Sequence, residues 1–103
     1  MTITQLVAGD DSCWRLEGDV TLASVPQLLR SSASLFDSAS TAAVIDLASM
    51  RRFDSSSVAL MLAWIREAKN RSIKLWFRNV PDKVMAVAGM CGVAEILSQA
   101  QQT

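Results

Sequence analysis

The sequence predicts a single α/β domain with a small mixed β-sheet and helices packed mainly on one face. Its 103 residues suffice for one hydrophobic core but not for two, so we expect one domain over residues 1–103. Hydrophobic residues make up 50% of the chain, which excludes an intrinsically disordered protein. Apolar residues recur with the periods of strands and helices in the order β-β-α-β-α-β-α-α. Because the β-α-β-α-β part of this order needs crossover helices, we expect parallel strands there.

The first two strands are predicted to form a β-hairpin. Residues 2–7 alternate loosely between apolar and polar side chains, and residues 13–17 supply the second strand, which Gly18 ends. Residues 9–11, Gly-Asp-Asp, stand between them as the tip of a turn. Two short apolar runs separated by such residues are typical of a hairpin.

The first helix is predicted over residues 23–37, with its apolar side chains on one face that packs against the core. Ser24 precedes Val25 and Pro26, a pattern typical of an N-cap followed by proline in the first turn. The apolar stripe comprises Leu22, Val25, Leu28, Leu29, Ser32, Leu35 and Phe36.

The middle of the chain is predicted to contain a buried strand and a second helix. Residues 43–47 are mostly apolar, as in a strand covered on both faces. A short loop follows, and residues 56–70 then repeat apolar side chains at helical spacing.

The last third of the chain is predicted to contain one strand and two helices. Side chains alternate in direction along residues 72–78, so one face of the strand is expected to be buried and the other exposed to solvent. A third helix begins near Pro81 and ends around Gly89 and Gly92, and a short helix starts at residue 93. The face expected to be buried carries Ile73, Leu75 and Phe77, and the face expected to be exposed carries Lys74, Trp76 and Arg78.

The composition argues against several functional classes. Ten Lys and Arg residues balance ten Asp and Glu residues, whereas nucleic-acid binders that rely on phosphate contacts are usually basic. The chain has no histidine, which excludes catalysis by a Ser-His-Asp triad and zinc sites of the HExxH type. No P-loop motif occurs. We therefore expect a protein that is not an enzyme and that uses no cofactor or metal.

The sequence also predicts where the protein acts. The longest apolar run, residues 58–65, has eight residues, whereas a membrane-spanning helix needs about 20. The N-terminus lacks the basic region of a signal peptide. Cys13 and Cys91 lack CxxC spacing, so we expect two buried, reduced thiols in a cytoplasmic protein.

One segment has the pattern of a binding surface. Residues 54–57, Asp-Ser-Ser-Ser, open the second helix after the buried strand. The unpaired N–H groups and positive dipole at a helix N-terminus favour a hydrogen-bond acceptor, which Ser55 or Ser56 can supply as N-cap. The same geometry suits a phosphate or a carboxylate of a partner.

These motifs and their order resemble the STAS domain family, to which bacterial anti-sigma-factor antagonists belong. The family pattern has a strand that ends in Asp-Leu and a helix that opens with Asp-Ser/Thr-x-Gly-Leu. Asp46-Leu47 and Asp54-Ser55-Ser56 match this pattern, although Ser57 stands where the family has glycine. Further similarities occur in residues 16–20, 81–84 and 91–97.

Within the family, the chain is most similar to the cytoplasmic STAS subunits of the Mla phospholipid-transport ABC complex, which maintains outer-membrane lipid asymmetry. The resemblance implies a subunit that binds the transporter ATPase and supports its assembly and activity, held at the membrane through that complex. It also implies a partner-binding site at Ser55, with Asp54, Ser56, Ser57 and Arg52 beside it.

Other interpretations of the same residues stay open at this point. The chain could be an anti-sigma-factor antagonist in which an anti-sigma-factor kinase phosphorylates Ser55. A third class is a module that binds a nucleotide or a lipid. Ser55 could also be only a helix cap, worth about 1 kcal/mol. Arg51 and Arg52 could bind a phosphate or simply be solvated.

Overall fold

The structure, a computed structural model, describes residues 4–9, 12–39 and 41–101. The predicted first strand and hairpin tip fall partly outside this range, at Thr2, Ile3, Asp10 and Asp11. The elements are β1 (Gln5–Ala8), β2 (Cys13–Val20), α1 (Val25–Ser38), β3 (Ala42–Asp46), β4 (Met50–Phe53), α2 (Ser56–Asn70), β5 (Lys74–Arg78), α3 (Asp82–Met90) and α4 (Ala94–Gln99).

The five strands form one mixed sheet in the order β1-β2-β3-β5, with β4 paired to β2. β1 runs antiparallel to β2, with Gln5 opposite Glu17. β3 runs parallel to both β2 and β5. The predicted combination of a hairpin with parallel crossover strands is therefore confirmed.

The segment before α2 differs from the prediction. It is not only a loop, because residues 50–53 form β4 parallel to β2. Gly18 does not end β2 as predicted. Instead, Gly18 has a φ of 97° and lies at a register irregularity, so β2 continues to Val20. Residues 13–15 of β2 pair with β3, whereas Gly18 and Val20 pair with β4.

A single core lies between the sheet and the helices, and all four helices contribute to it. Trp64 of α2 and Phe77 of β5 are fully buried, with their ring centroids 6.5 Å apart. Leu75 is buried beside them, whereas Lys74 and Arg78 on the other face of β5 are exposed. The predicted alternation and the placement of helices mainly on one face are thus confirmed.

Helix α1 begins two residues later than predicted, and Leu22 and Ser24 do not have the roles predicted for them. Leu22 lies before the helix and is 78% exposed, so it is not part of the buried stripe. Ser24 occupies the N-cap position, but its side chain makes no capping hydrogen bond. Its hydroxyl instead donates to the carbonyl of Asp19 over 2.9 Å and accepts from the Thr21 N–H over 3.0 Å. The serine therefore closes the turn before the helix.

The prediction of two buried thiols is wrong. Both cysteines are free, but Cys13 is only half-buried and Cys91 is exposed. Cys13 begins β2, and Cys91 is the C-cap of α3, where its side chain lies outside the core.

Among the helices of the described residues, none combines the length and apolar character that crossing a membrane requires.

Two helices end in the same Schellman motif, in which a residue with left-handed backbone conformation closes the last turn. After α2, Ser72 has a φ of 57°, and the following N–H donates to the Ala68 carbonyl over 2.8 Å. After α3, Gly92 has a φ of 76°, and the following N–H donates to the Ala88 carbonyl over 2.9 Å. Glycine adopts this conformation without steric cost, whereas serine does not.

A reciprocal exchange should therefore have opposite effects on stability. We expect Ser72→Gly to raise the free energy of unfolding by about 0.5–1 kcal/mol because it relieves backbone strain. We expect Gly92→Ser to lower it by about 1 kcal/mol. A Cβ at Gly92 would meet no atom within 4 Å, so the loss comes from the backbone alone. Urea unfolding followed by circular dichroism measures both changes.

Ser34→Gly is the matched control, because Ser34 is an exposed residue inside α1. There the same substitution should destabilise the protein by about 0.5 kcal/mol, since glycine is a poor helix former. A Ser72→Gly variant that loses stability as Ser34→Gly does would contradict the role assigned to the left-handed conformation.

Candidate partner-binding site

The candidate site lies where β4 ends and α2 begins. The Asp54 N–H donates to the Val20 carbonyl over 3.2 Å, which ties this turn to the end of β2. The carbonyl of Asp54 then accepts from the Ser57 N–H over 3.1 Å, and the carbonyl of Ser55 accepts from the Val58 N–H over 3.1 Å. The backbone at the site is therefore fixed by hydrogen bonds on both sides.

Asp54, rather than a serine, satisfies the first N–H groups of α2. Its Oδ1 accepts from the Ser56 N–H over 2.9 Å and from the Ser56 hydroxyl. The hydrogen bond from that hydroxyl, followed by the one from the backbone, lowers the pKa of Asp54 below its ordinary value. A carboxylate at this position also interacts favourably with the positive end of the helix dipole. Ser55 thus occupies the predicted N-cap position, but its side chain does not supply the predicted acceptor.

Ser55 is exposed and presents its hydroxyl to solvent. It occupies the N-cap position with φ −62° and ψ −18°, and its side chain makes no capping hydrogen bond. The Ser57 and Val58 N–H groups, which an N-cap side chain would bind, donate instead to backbone carbonyls, so the hydroxyl of the exposed Ser55 is left available for a contact outside the domain. The structure thus places this predicted site residue on the surface at the start of α2.

Ser57 does not fit the prediction that it contacts a partner. Its side chain is 2% exposed, and its hydroxyl donates to the Asp54 carbonyl over 2.8 Å. The side chain therefore points into the domain and braces the turn from inside. For the same reason, a serine in place of the family's glycine adds no bulk to the outer surface.

The two arginines of β4 lie beside the site. Arg51 and Arg52 are both exposed, and neither forms an ion pair with another residue that the structure describes. Arg52 stands three residues before Ser55 in the chain, and its contact with a partner stays a prediction. An exposed arginine without an ion pair is equally consistent with a solvated side chain.

Leu22 is a residue of this surface that the sequence analysis assigned elsewhere. Its backbone N–H makes a smaller contribution to the lowered pKa of Asp54, so the two residues are neighbours. Leu22 is 78% exposed and so adds an apolar side chain to the surface beside Asp54. Pro26 in the sequence could have indicated this position of Leu22. Proline favours the first turn of a helix, so α1 should begin near Val25, after Leu22.

The site combines an exposed apolar side chain, two hydroxyls, one carboxylate and a cation. Within residues 4–9, 12–39 and 41–101, no group of three His, Cys, Asp or Glu side chains could hold a metal ion.

Comparison with solved structures identifies the architecture. The anti-sigma factor antagonist SpoIIAA in its unphosphorylated form superposes with a TM-score of 0.70 at 20% sequence identity, covering 97% of this chain and 86% of SpoIIAA. An uncharacterized protein from Shewanella loihica with a SpoIIAA-like fold gives a TM-score of 0.46 at 11% identity, covering 88% of this chain and 77% of that one. The first likeness confirms the predicted fold class.

Sequence comparisons give the family. No curated protein sequence matches the chain significantly. A family model described as MlaB, STAS domain, matches residues 6–98 and so covers the sheet, the candidate site and nearly all of α4. The chain therefore belongs to the STAS domain family.

Proposed function

We propose that this chain is a non-enzymatic STAS subunit that binds and supports the ATPase of a Mla-type phospholipid transporter at the cytoplasmic face of a membrane. The observation that carries the proposal is the exposed Ser55 at the start of α2, in a chain that matches the MlaB description. The contact surface comprises Leu22, Arg52, Asp54, Ser55 and Ser56.

The rigidity of this surface favours docking. Hydrogen bonds hold Asp54 to β2, to Ser56 and to Ser57 before any partner arrives. A preorganised surface loses less conformational entropy when it binds, so more of the contact energy appears as affinity. Leu22 supplies an apolar anchor, and the polar side chains around it supply specificity.

The mixed charge of the surface also suits a protein partner. Asp54 contributes a negative charge to the surface, and the exposed Arg52, two residues before it, contributes a positive one. Such a pattern discriminates between partners by charge complementarity. A membrane surface or a nucleic acid would instead favour cations alone.

A second candidate function is an anti-sigma-factor antagonist controlled by phosphorylation of Ser55. The exposed hydroxyl and the fold shared with SpoIIAA support it. The family model that matches the chain is described as MlaB, which weighs towards the transporter subunit, so we favour that function.

Ser55→Arg should abolish co-purification with the ATPase subunit of the transporter. The longer cationic side chain would occupy the space in which the partner packs, and it would bring a second cation beside Arg52. The measurement is a pull-down of tagged protein from cells that express the ATPase. Ser34→Arg is the matched control, since Ser34 is exposed on α1 away from the site, and it should bind normally.

A Ser55→Arg variant that co-purifies as well as wild type, with an unchanged urea midpoint, would contradict the assignment of the interface. A wild-type chain that fails to bind the ATPase would contradict the transporter function itself.

The transporter function also predicts that Ser55 keeps its free hydroxyl in the cell. We expect mass spectrometry of the chain isolated from its own cells to show Ser55 without a phosphoryl group, and Ser55→Ala to bind the ATPase within about twofold of wild type. Phosphoserine at this position, together with loss of partner binding in Ser55→Asp, would instead support the anti-sigma-factor antagonist.

A further inference from the structure

A groove crosses the surface between the C-terminal half of α2, α4 and β5. Two adjoining cavities of about 260 Å³ and about 420 Å³ form it, and both are lined by Ile65, Lys69 and Ile96. The first cavity extends to Trp76 in β5, and the second extends to Arg66 in α2. We call this surface the α2–α4 groove.

The floor of the α2–α4 groove is apolar and accessible. Ile96 is 47% exposed, although it is a large aliphatic residue. Ile65 and Trp76 are half-buried beside it. These side chains offer an apolar contact to whatever occupies the groove.

The rim of the groove carries only positive charge. Arg66, Lys69 and Lys74 line it, and no Asp or Glu residue lines either cavity. This segregation is notable because the whole chain has equal numbers of acidic and basic residues. Arg66 and Lys69 form no ion pair within the described part of the chain. The Lys74 ammonium lies 5.8 Å from the Trp76 ring centroid, so it stays over the apolar floor.

The shape of the groove restricts what can occupy it. A small ligand in so open a groove would keep much of its surface in water, which favours a larger occupant. Residues 62–70 of α2 run along the groove for about 13 Å. That length accommodates the i, i+3 or i+4, and i+7 side chains of a helix, which is a common way to fill such a groove.

We propose that the α2–α4 groove binds an acidic amphipathic helix of a partner protein. Its apolar side chains would pack on Ile65 and Ile96, and its carboxylates would pair with Lys69 and Lys74. The groove begins at Leu62, about 10 Å along α2 from Ser55, and shares no lining residue with the surface around Ser55, so the proposal does not rest on the function proposed above. One helix would thus present a separate partner site at each end.

Selection from a phage-displayed library of random peptides tests this proposal, with the full chain as bait. Each peptide should be long enough for about four helical turns. We expect the selected peptides to carry Asp or Glu beside apolar residues at helical spacing. Fluorescence anisotropy of a labelled selected peptide then gives its affinity, which should fall as salt is raised.

Charge reversal locates the binding site. Lys69→Glu combined with Lys74→Glu should weaken peptide binding by about tenfold or more, because both ion pairs become repulsive. Ile96→Ser should weaken it as well, through lost apolar contact. The matched control, Arg30→Glu combined with Lys83→Glu, changes the net charge equally at exposed residues of α1 and α3. It should leave binding within about twofold of wild type, and circular dichroism should show all variants folded.

Several results would overturn the proposal. One is a selection that enriches no peptide or only peptides without acidic residues. Another is binding that Lys69→Glu with Lys74→Glu leaves intact. Displacement of the peptide by phosphatidylglycerol vesicles, with vesicle binding lost in the same variant, would assign the groove to a membrane instead. Ser55→Arg should bind the peptide normally, which separates failure of this proposal from failure of the ATPase interface.

Discussion

The pairing of β2 with two successive strands along one edge is the constraint on which the rest of the structure depends. β2 pairs first with β3 and then, beyond Gly18, with β4. This arrangement carries the chain to the end of β2, where the Asp54 N–H donates to the Val20 carbonyl. Helix α2 can begin only there, so the position of Ser55 on the surface follows from the pairing of the sheet rather than from the helix itself.

Helix α2 connects the core to both candidate surfaces. Its inward face carries the fully buried Trp64, which packs against Phe77 in β5. Its N-terminus presents Ser55, and its C-terminal half forms one wall of the α2–α4 groove. Because the core fixes the helix, both surfaces are held rigidly relative to the sheet. If both proposed surfaces bind partners, this geometry would hold the two partners at a set distance.

The sequence predicted periodic features well and local chemistry poorly. The bounds of α2, the alternation of β5 and the STAS motifs were all readable, because hydrophobic periodicity directly reflects which side faces the core. The residue whose side chain caps α2 could not be predicted from the sequence. Asp54, Ser55 and Ser56 are all good capping residues, and only the backbone angles decide among them. Strand β4 was missed because Met50-Arg-Arg-Phe53 is short and does not alternate between apolar and polar side chains. Its pairing with β2 is a long-range backbone contact that the residues of β4 do not reveal.

The fold class, the family and the segment that opens α2 can be read from the amino-acid sequence, because they depend on patterns within short stretches of chain. Which side chains of that segment are exposed depends instead on how the folded chain packs. Ser57 is turned inward by its hydrogen bond to the Asp54 carbonyl, whereas Ser55 faces outward, although the two residues are chemically identical. The α2–α4 groove likewise exists only after folding, because its cations and its apolar floor come from elements that are separate in the chain and meet through packing.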